Sequence, residues 1–169
     1  MSAAVQAGDL PPPCYPGKIA SPGDTLARIA RLACPVVFTN GVFDLLHRGH
    51  VTYLERARGL GASLVVAVNS DASVRRLGKA PDRPLNTLDD RMAVLAGLAA
   101  VDLVVPFDAD TPRDLIVACR PDVLVKGGDY TAATSAGAAE TIAAGGRFAA
   151  IPFEFDRSTT ALLRRIRGT

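Results

Sequence analysis

From residue 35 onward, short apolar runs alternate with stretches of helical period. PVVFTN (35–40), SLVVAVN (63–69), DLVVPF (102–107), DVLVK (122–126) and RFAAIPF (147–153) are rich in β-branched residues. Each reads as a strand buried on both faces. Within 49–60, Val51, Leu54, Ala57 and Leu60 recur at every third position, and Gly61 is placed to cap the helix they define. Thr87 with Asp90 three residues on resembles a capping box, opening a helix through Leu98. Asp110-Thr111-Pro112 supplies an N-cap and a first-turn proline for another. An alanine-rich helix is expected over about 135–144, a last one over 159–167 behind Ser158, and a further one near 24–32. Five strands separated by helices imply right-handed crossovers and one open parallel sheet covered on both faces, an α/β fold. Ligands of such sheets sit at the carboxyl ends of the strands, where the winding reverses.

Composition narrows the picture without changing it. The 169 residues suit one domain, expected over 18–169 behind a flexible tail at 1–17 whose PPPCYPG segment cannot hold a helix. A net charge of +2 and 5% aromatics give no reason to expect nucleic acid or an anionic membrane as partner. No run approaches the ~18 apolar residues of a membrane span. The N-terminus has neither the basic nor the apolar region of a signal peptide. Cys14, Cys34 and Cys119 are odd in number and form no C-x-x-C pair, so they read as reduced thiols of a cytoplasmic protein and not as a metal site.

The strand ends hold the candidate chemistry. Neither G-x-x-x-x-G-K-[ST] nor a G-x-G-x-x-G after the first strand is present. After the first strand comes FTNGVFDLLHRGH, which contains both histidines of the chain, His47 and His50. Two imidazoles at i and i+3 on the first turn of a helix share a face, where free N–H groups and the dipole already favour an anion. Both can donate to phosphate oxygens, and Gly49 would let a phosphate approach the backbone. A zinc site falls short of ligands. KGGDY follows the fourth strand and RSTT the fifth, where Ser158, Thr159 and Thr160 offer hydroxyls at another helix start. Lys79 lies in LGKAPDRPLN, a glycine- and proline-bearing loop that reads as a mobile lid; Arg91 could serve a ligand or pair with an aspartate.

FTNGVFDLLHRGH and RSTTALL resemble the two phosphate motifs of the H-x-G-H nucleotidylyltransferase superfamily. AVNSDASVRRLGK, RPLNTLDDRMAVLAGLAAVDLVVPFDADTP and PDVLVKGGDY are similar, stretch by stretch, to the heptose 1-phosphate adenylyltransferases of lipopolysaccharide synthesis, in their stand-alone form. The resemblance runs from about Lys18 to Arg167; TAATSAGAAETIAAGG departs from it, being alanine-rich where a charged segment is expected.

The resemblance implies a Rossmann-like sheet of strand order 3-2-1-4-5 and transfer of AMP from ATP to heptose 1-phosphate. It implies that His47 and His50 hold the α- and β-phosphates and that Thr39, Asn40, Gly41, Val42, Phe43 and Gly49 border the nucleotide. Asp44 would orient a histidine or the sugar phosphate, with Asn69 and Asp71 on the acceptor. Ser158, Thr159 and Thr160 would hold the departing phosphates, while Lys79, Arg91 and Lys126 supply charge. Gly128 and Asp129 would adjoin the nucleotide or sugar. Mg²⁺ would be bound mainly through ATP, and the assembly would be a homodimer. Two other readings share these motifs: a cytidylyltransferase acting on glycerol 3-phosphate or a similar phospho-alcohol, and a non-catalytic nucleotide-binding module.

Overall fold

The computed structural model describes residues 10–78, 82–152, 154–155, 162–163, 165–166 and 168. Five strands, β1 (Val36–Gly41), β2 (Ser63–Asn69), β3 (Leu103–Phe107), β4 (Val123–Gly127) and β5 (Arg147–Ile151), form one parallel sheet of order β3-β2-β1-β4-β5. The helices are α1 (Thr25–Ile29), α2 (Arg48–Arg58), α3 (Asp71–Arg76), α4 (Leu88–Ala96), α5 (Arg113–Cys119) and α6 (Ala138–Ala143).

The pleat sorts successive side chains into two cores. Leu64, Val66 and Val68 of β2 join Val37, Leu54 and Leu95 on one face, while Val65 and Ala67 join Phe38, Leu103 and Ile116 on the other. The aspartates that open two strand motifs fix the lower edge of the sheet. Asp122 accepts from Val36 N–H at 2.6 Å, and Asp102 accepts from Leu64 N–H at 2.7 Å.

Several expectations are corrected by packing. β5 is an edge strand with Arg147 and Ala150 exposed, so it is half-buried and not covered on both faces. Gly61 does not cap α2, whose C-cap is Gly59; a Cβ at Gly61 would lie 2.4 Å from the Pro35 carbonyl, so its role is close approach. Thr87 caps α4 and accepts from Asp90 N–H as expected, but the helix ends at Ala96. α5 starts two residues later than the Asp110 cap requires, with Pro112 itself at the N-cap. α3 was not anticipated; its cap is Ser70, which accepts from Ser73 N–H. Residues 15–18, within and next to the expected tail, form a 3-10 turn. Lys18 Nζ donates to Leu98 O at 3.1 Å and Ala20 N–H to Val104 O at 2.9 Å, so this segment covers the edge of β3. Ser158 and its capping role, like residues 1–9 of the tail, lie outside the described residues.

Candidate active site

At the switch point β1 is flanked by β2 on one side and β4 on the other, and the carboxyl ends of these strands open into a cleft of about 420 Å³. Asn40, Gly41, Val42 and Phe43 from β1 line it, as do His50, Asn69 and Lys126. Phe43 has φ +48°, a strained backbone for a side chain of this size, which turns the chain sharply beneath the cleft.

The two imidazoles stack. Their ring centroids lie 3.8 Å apart at 18°, and His50 meets the edge of Phe43 at 5.3 Å. His47 is the N-cap residue of α2 but makes no side-chain capping bond; His50 N–H donates to His47 O at 2.9 Å, which leaves the Arg48 and Gly49 N–H groups for an anion. Gly49 makes the stack possible: a Cβ there would sit 3.1 Å from His47 Cε1 and Nδ1. The His47 ring therefore packs against Gly49, where any side chain would have to displace it. Burial pushes the His50 imidazole down to about 4, helped by the neighbouring His47 and opposed by a hydrogen bond with the Leu45 backbone. Burial lowers His47 as well. Both rings are thus neutral near pH 7, with one N–H each, and that of His50 is engaged by the Leu45 backbone until a ligand competes for it.

Asp44 is buried and does not reach a histidine among the described residues. Its carboxylate accepts from Leu85 N–H at 2.9 Å and Asn86 N–H at 2.9 Å, while Arg83 Nε lies 2.5 Å from Oδ2, off the line of a hydrogen bond. Asn86 Nδ2 donates back to the Asp44 carbonyl at 2.5 Å. Asp44 thereby fastens the 83–86 segment to the histidine loop.

Arg91 is likewise engaged by the protein and not by a ligand. Its fully enclosed guanidinium donates to Val42 O at 2.7 Å, Asn69 O at 2.8 Å, Asn86 O at 3.1 Å and Asp71 Oδ1 at 2.7 Å. One side chain so ties the ends of β1 and β2 to α3 and α4. Asp71 is held in that pair and is not on the cleft wall. Asn69 is on the wall, with Nδ2 donating to Ser73 Oγ at 3.0 Å.

The other expected residues divide. Thr39 is enclosed, its hydroxyl 2.6 Å from the Tyr53 hydroxyl, and does not border the cleft. Lys126 does border it, with Nζ donating to Asn40 Oδ1, and burial pushes its amine down to about 8. Gly128, at φ +89°, donates to Ile151 O at 2.8 Å; Asp129 is exposed and off the wall. Lys79, Ser158, Thr159 and Thr160 lie outside the described residues.

Sequence reasoning missed part of the wall. Asp110, Thr111 and Pro112 follow β3, and Tyr130, Thr134 and Ser135 follow β4. The rule that ligands gather at strand ends covered the loop after the third strand too, and DADTP was read only as a helix start. Thr134 and Ser135 were hidden in an alanine-rich stretch with no motif.

Comparison with known proteins agrees with this geometry. The family model described as cytidylyltransferase-like matches residues 38–165. A Bordetella bronchiseptica protein named D-beta-D-heptose 1-phosphate adenylyltransferase is 59% identical over 155 residues, covering 90% of this chain and 96% of its own. "Bifunctional protein HldE" of a Shewanella species is 60% identical over 131 residues, which are 78% of this chain and 27% of that protein. Among solved structures, the lipopolysaccharide core biosynthesis protein from Thermoplasma volcanium superposes with a TM-score of 0.59 at 27% identity, covering 72% of this chain and 98% of that one.

Proposed function

The chain belongs to the cytidylyltransferase-like family, and on that premise we propose that it transfers AMP from ATP to heptose 1-phosphate, forming ADP-heptose and pyrophosphate. The observation that carries the reading is the stacked, neutral imidazole pair at the start of α2, beneath a cleft at the switch point.

The reaction forms a bond between a sugar-phosphate oxygen and the α-phosphorus and breaks the bond from that phosphorus to the bridging oxygen. The attacking oxygen is already ionised at neutral pH and pyrophosphate is a stable leaving group, so no general base is needed. What the protein must supply is alignment of two polyanions and donors aimed at the developing charge. His50 faces the cleft and His47 stacks on it, a pair placed to donate to the α- and β-phosphates. Asn40 and Lys126 line the same cleft, paired to each other, and there the amine would meet phosphate or ribose oxygens. Arg91 and Asp44 act by positioning: they hold Val42, Asn69 and the 83–86 segment in place before any ligand arrives.

Mg²⁺ would come as part of the nucleotide substrate and would supply charge neutralisation on its phosphates, with few ligands asked of the protein. Asp110 is the carboxylate on the described cleft wall; Arg76 Nε donates to its Oδ1 at 2.7 Å, so it would meet the ion's water shell only through its remaining lone pairs. In this reading Lys79 adds charge from its loop, and Ser158, Thr159 and Thr160 hold the departing phosphates. Among the described residues no helix is long and apolar enough to cross a membrane.

The test is to offer ATP, CTP and UTP with a panel of sugar and polyol phosphates and to measure pyrophosphate. Release is expected with ATP, heptose 1-phosphate and a divalent metal together. Faster turnover of CTP with glycerol 3-phosphate would overturn the assignment.

A further inference from the structure

One polar group on the cleft wall has no role in the chemistry above. Ser135 lies in the loop between β4 and α6 and is 7% exposed, and its hydroxyl has no hydrogen-bond partner among the described residues. A buried hydroxyl left unpaired destabilises the fold, so it is uncommon without a function that requires it.

The loop holds this hydroxyl in place. Thr131 N–H donates to Thr134 Oγ1 at 3.1 Å and Thr134 N–H to Thr131 O at 3.2 Å, closing a tight turn just before Ser135. On the other side Ala138 N–H donates to Ser135 O at 3.1 Å. Gly137, at φ +83°, packs so closely that a Cβ would come within 2.8 Å of Ile116 Cδ1. The backbone at Ser135 is therefore held from both flanks, which fixes the position from which its side chain enters the cleft wall.

The surroundings decide the ligand chemistry. Thr134, Thr111 and Tyr130 line the same cleft as Asp110, whose Oδ1 already accepts from Arg76 Nε at 2.7 Å, and among the described wall residues the cations are confined to Lys126 and the titratable His50. Hydroxyls with one carboxylate suit an uncharged group that both donates and accepts, whereas a phosphate would require cations. We propose that Ser135 reads a sugar hydroxyl of a bound substrate. This rests on the function proposed above, which brings two sugars into the cleft, the ribose of the nucleotide and the heptose of the acceptor.

Ser135→Ala separates the possibilities, with Ser135→Cys as a near-isosteric partner that is a poor donor. Both are compared with the parent on whichever nucleotide and acceptor the substrate panel shows the parent to use, so a wrong substrate assignment is detected in the parent and not in the variants. Both variants should lower kcat/KM about tenfold for one substrate, the loss of one neutral hydrogen bond, and leave the other within twofold. The melting temperature without ligand should stay level or rise, because the hydroxyl has nothing to bond in the empty cleft. If ribose is read, the parent should discriminate against 2′-deoxy- or 3′-deoxy-ATP and the variants should not. If the acceptor is read, parent and variants should treat the deoxy nucleotides alike while the loss appears on the acceptor. Unchanged kcat/KM for both substrates, or a fall in melting temperature in both variants, would overturn the proposal.

Discussion

Replacing Arg91 by methionine tests whether this side chain is a scaffold clamp or a ligand for ATP. The guanidinium makes four bonds, three of them to backbone carbonyls, and its side chain is fully enclosed. Methionine fills a similar volume but leaves those carbonyls without donors. Asp71 is 28% exposed and can recover hydration, so its loss counts for less. Bonds from a charged donor contribute about 1.5–3 kcal/mol each, and breaking a buried pair from one side costs about 3–5 kcal/mol. With partial relaxation we expect about 4 kcal/mol, a large share of the total for a domain whose stability is of the order of 5–15 kcal/mol. At about 2–4 °C per kcal/mol for a domain of this size, the melting temperature should drop by roughly ten degrees. Urea unfolding should show a lower midpoint at unchanged slope. Arg91→Lys keeps the charge but cannot reach four partners, so it should fall between. A methionine variant within about 1 kcal/mol of the parent would refute the clamp. So would a lysine variant of parental stability whose only defect is a raised KM for ATP, which is the signature of a ligand contact.

The remaining predictions concern the histidine loop. Asp44→Asn puts an amide group against the Leu85 and Asn86 N–H donors and leaves Arg83 unpaired in a buried position, so it should destabilise by about 3 kcal/mol; a neutral effect in urea would show that the 83–86 segment is held by other contacts. His50 has its folded pKa depressed to about 4 from the usual 6.5, so on acidification the unfolded chain takes the proton first. The stability of a neutral His50 is complete above about 6.5 and is lost as the pH falls toward 4, by at most about 2 kcal/mol once solvent screening is allowed for. His50→Gln should flatten the stability profile over this interval and slow turnover by about 10²- to 10³-fold at neutral pH. A profile identical to the parent, with full activity, would exclude both roles.

How much could be read in advance differs by physical cause. The strands β1 to β4 were legible because a sheet buried on both faces imposes unbroken β-branched runs, as in SLVVAVN and DVLVK. Strand ends carrying H-x-G-H were legible for the same reason: the fold fixes where ligands go. Helix ends were less so, since Gly61 and Asp110 have the chemistry of caps while the chain uses Gly59 and Pro112. Tertiary contact chose between them, the Pro35 carbonyl claiming Gly61. Partner choice was the least legible. Arg91 and Asp44 have the charges of ligand-binding residues, and only the approach of Val42, Asn69 and Leu85 from distant parts of the chain assigns them to the scaffold. Ser135 lacked any local signal, because an unpaired hydroxyl is a property of the packed loop and not of its sequence.

These assignments change where the positive charge for a polyphosphate comes from. Arg83 and Arg91 are buried against Asp44, Asp71 and backbone, and neither contributes to the described cleft wall. His50 reaches that wall neutral at pH 7, with His47 lowered behind it, and Lys126 titrates near 8 against an amide. At rest the described wall therefore carries at most one positive charge, that of Lys126, with the Asp110 carboxylate on the same wall, far short of what a triphosphate needs. A site of this kind works by placing neutral donors on a rigid frame and letting the ligand bring its own counterion. It also makes the imidazoles responsive: phosphate oxygens arriving beside them favour the protonated form and oppose the burial that suppresses it. In the proposed reaction this couples donor strength to the presence of the nucleotide, so that the charge needed in the transition state appears only when ATP is bound.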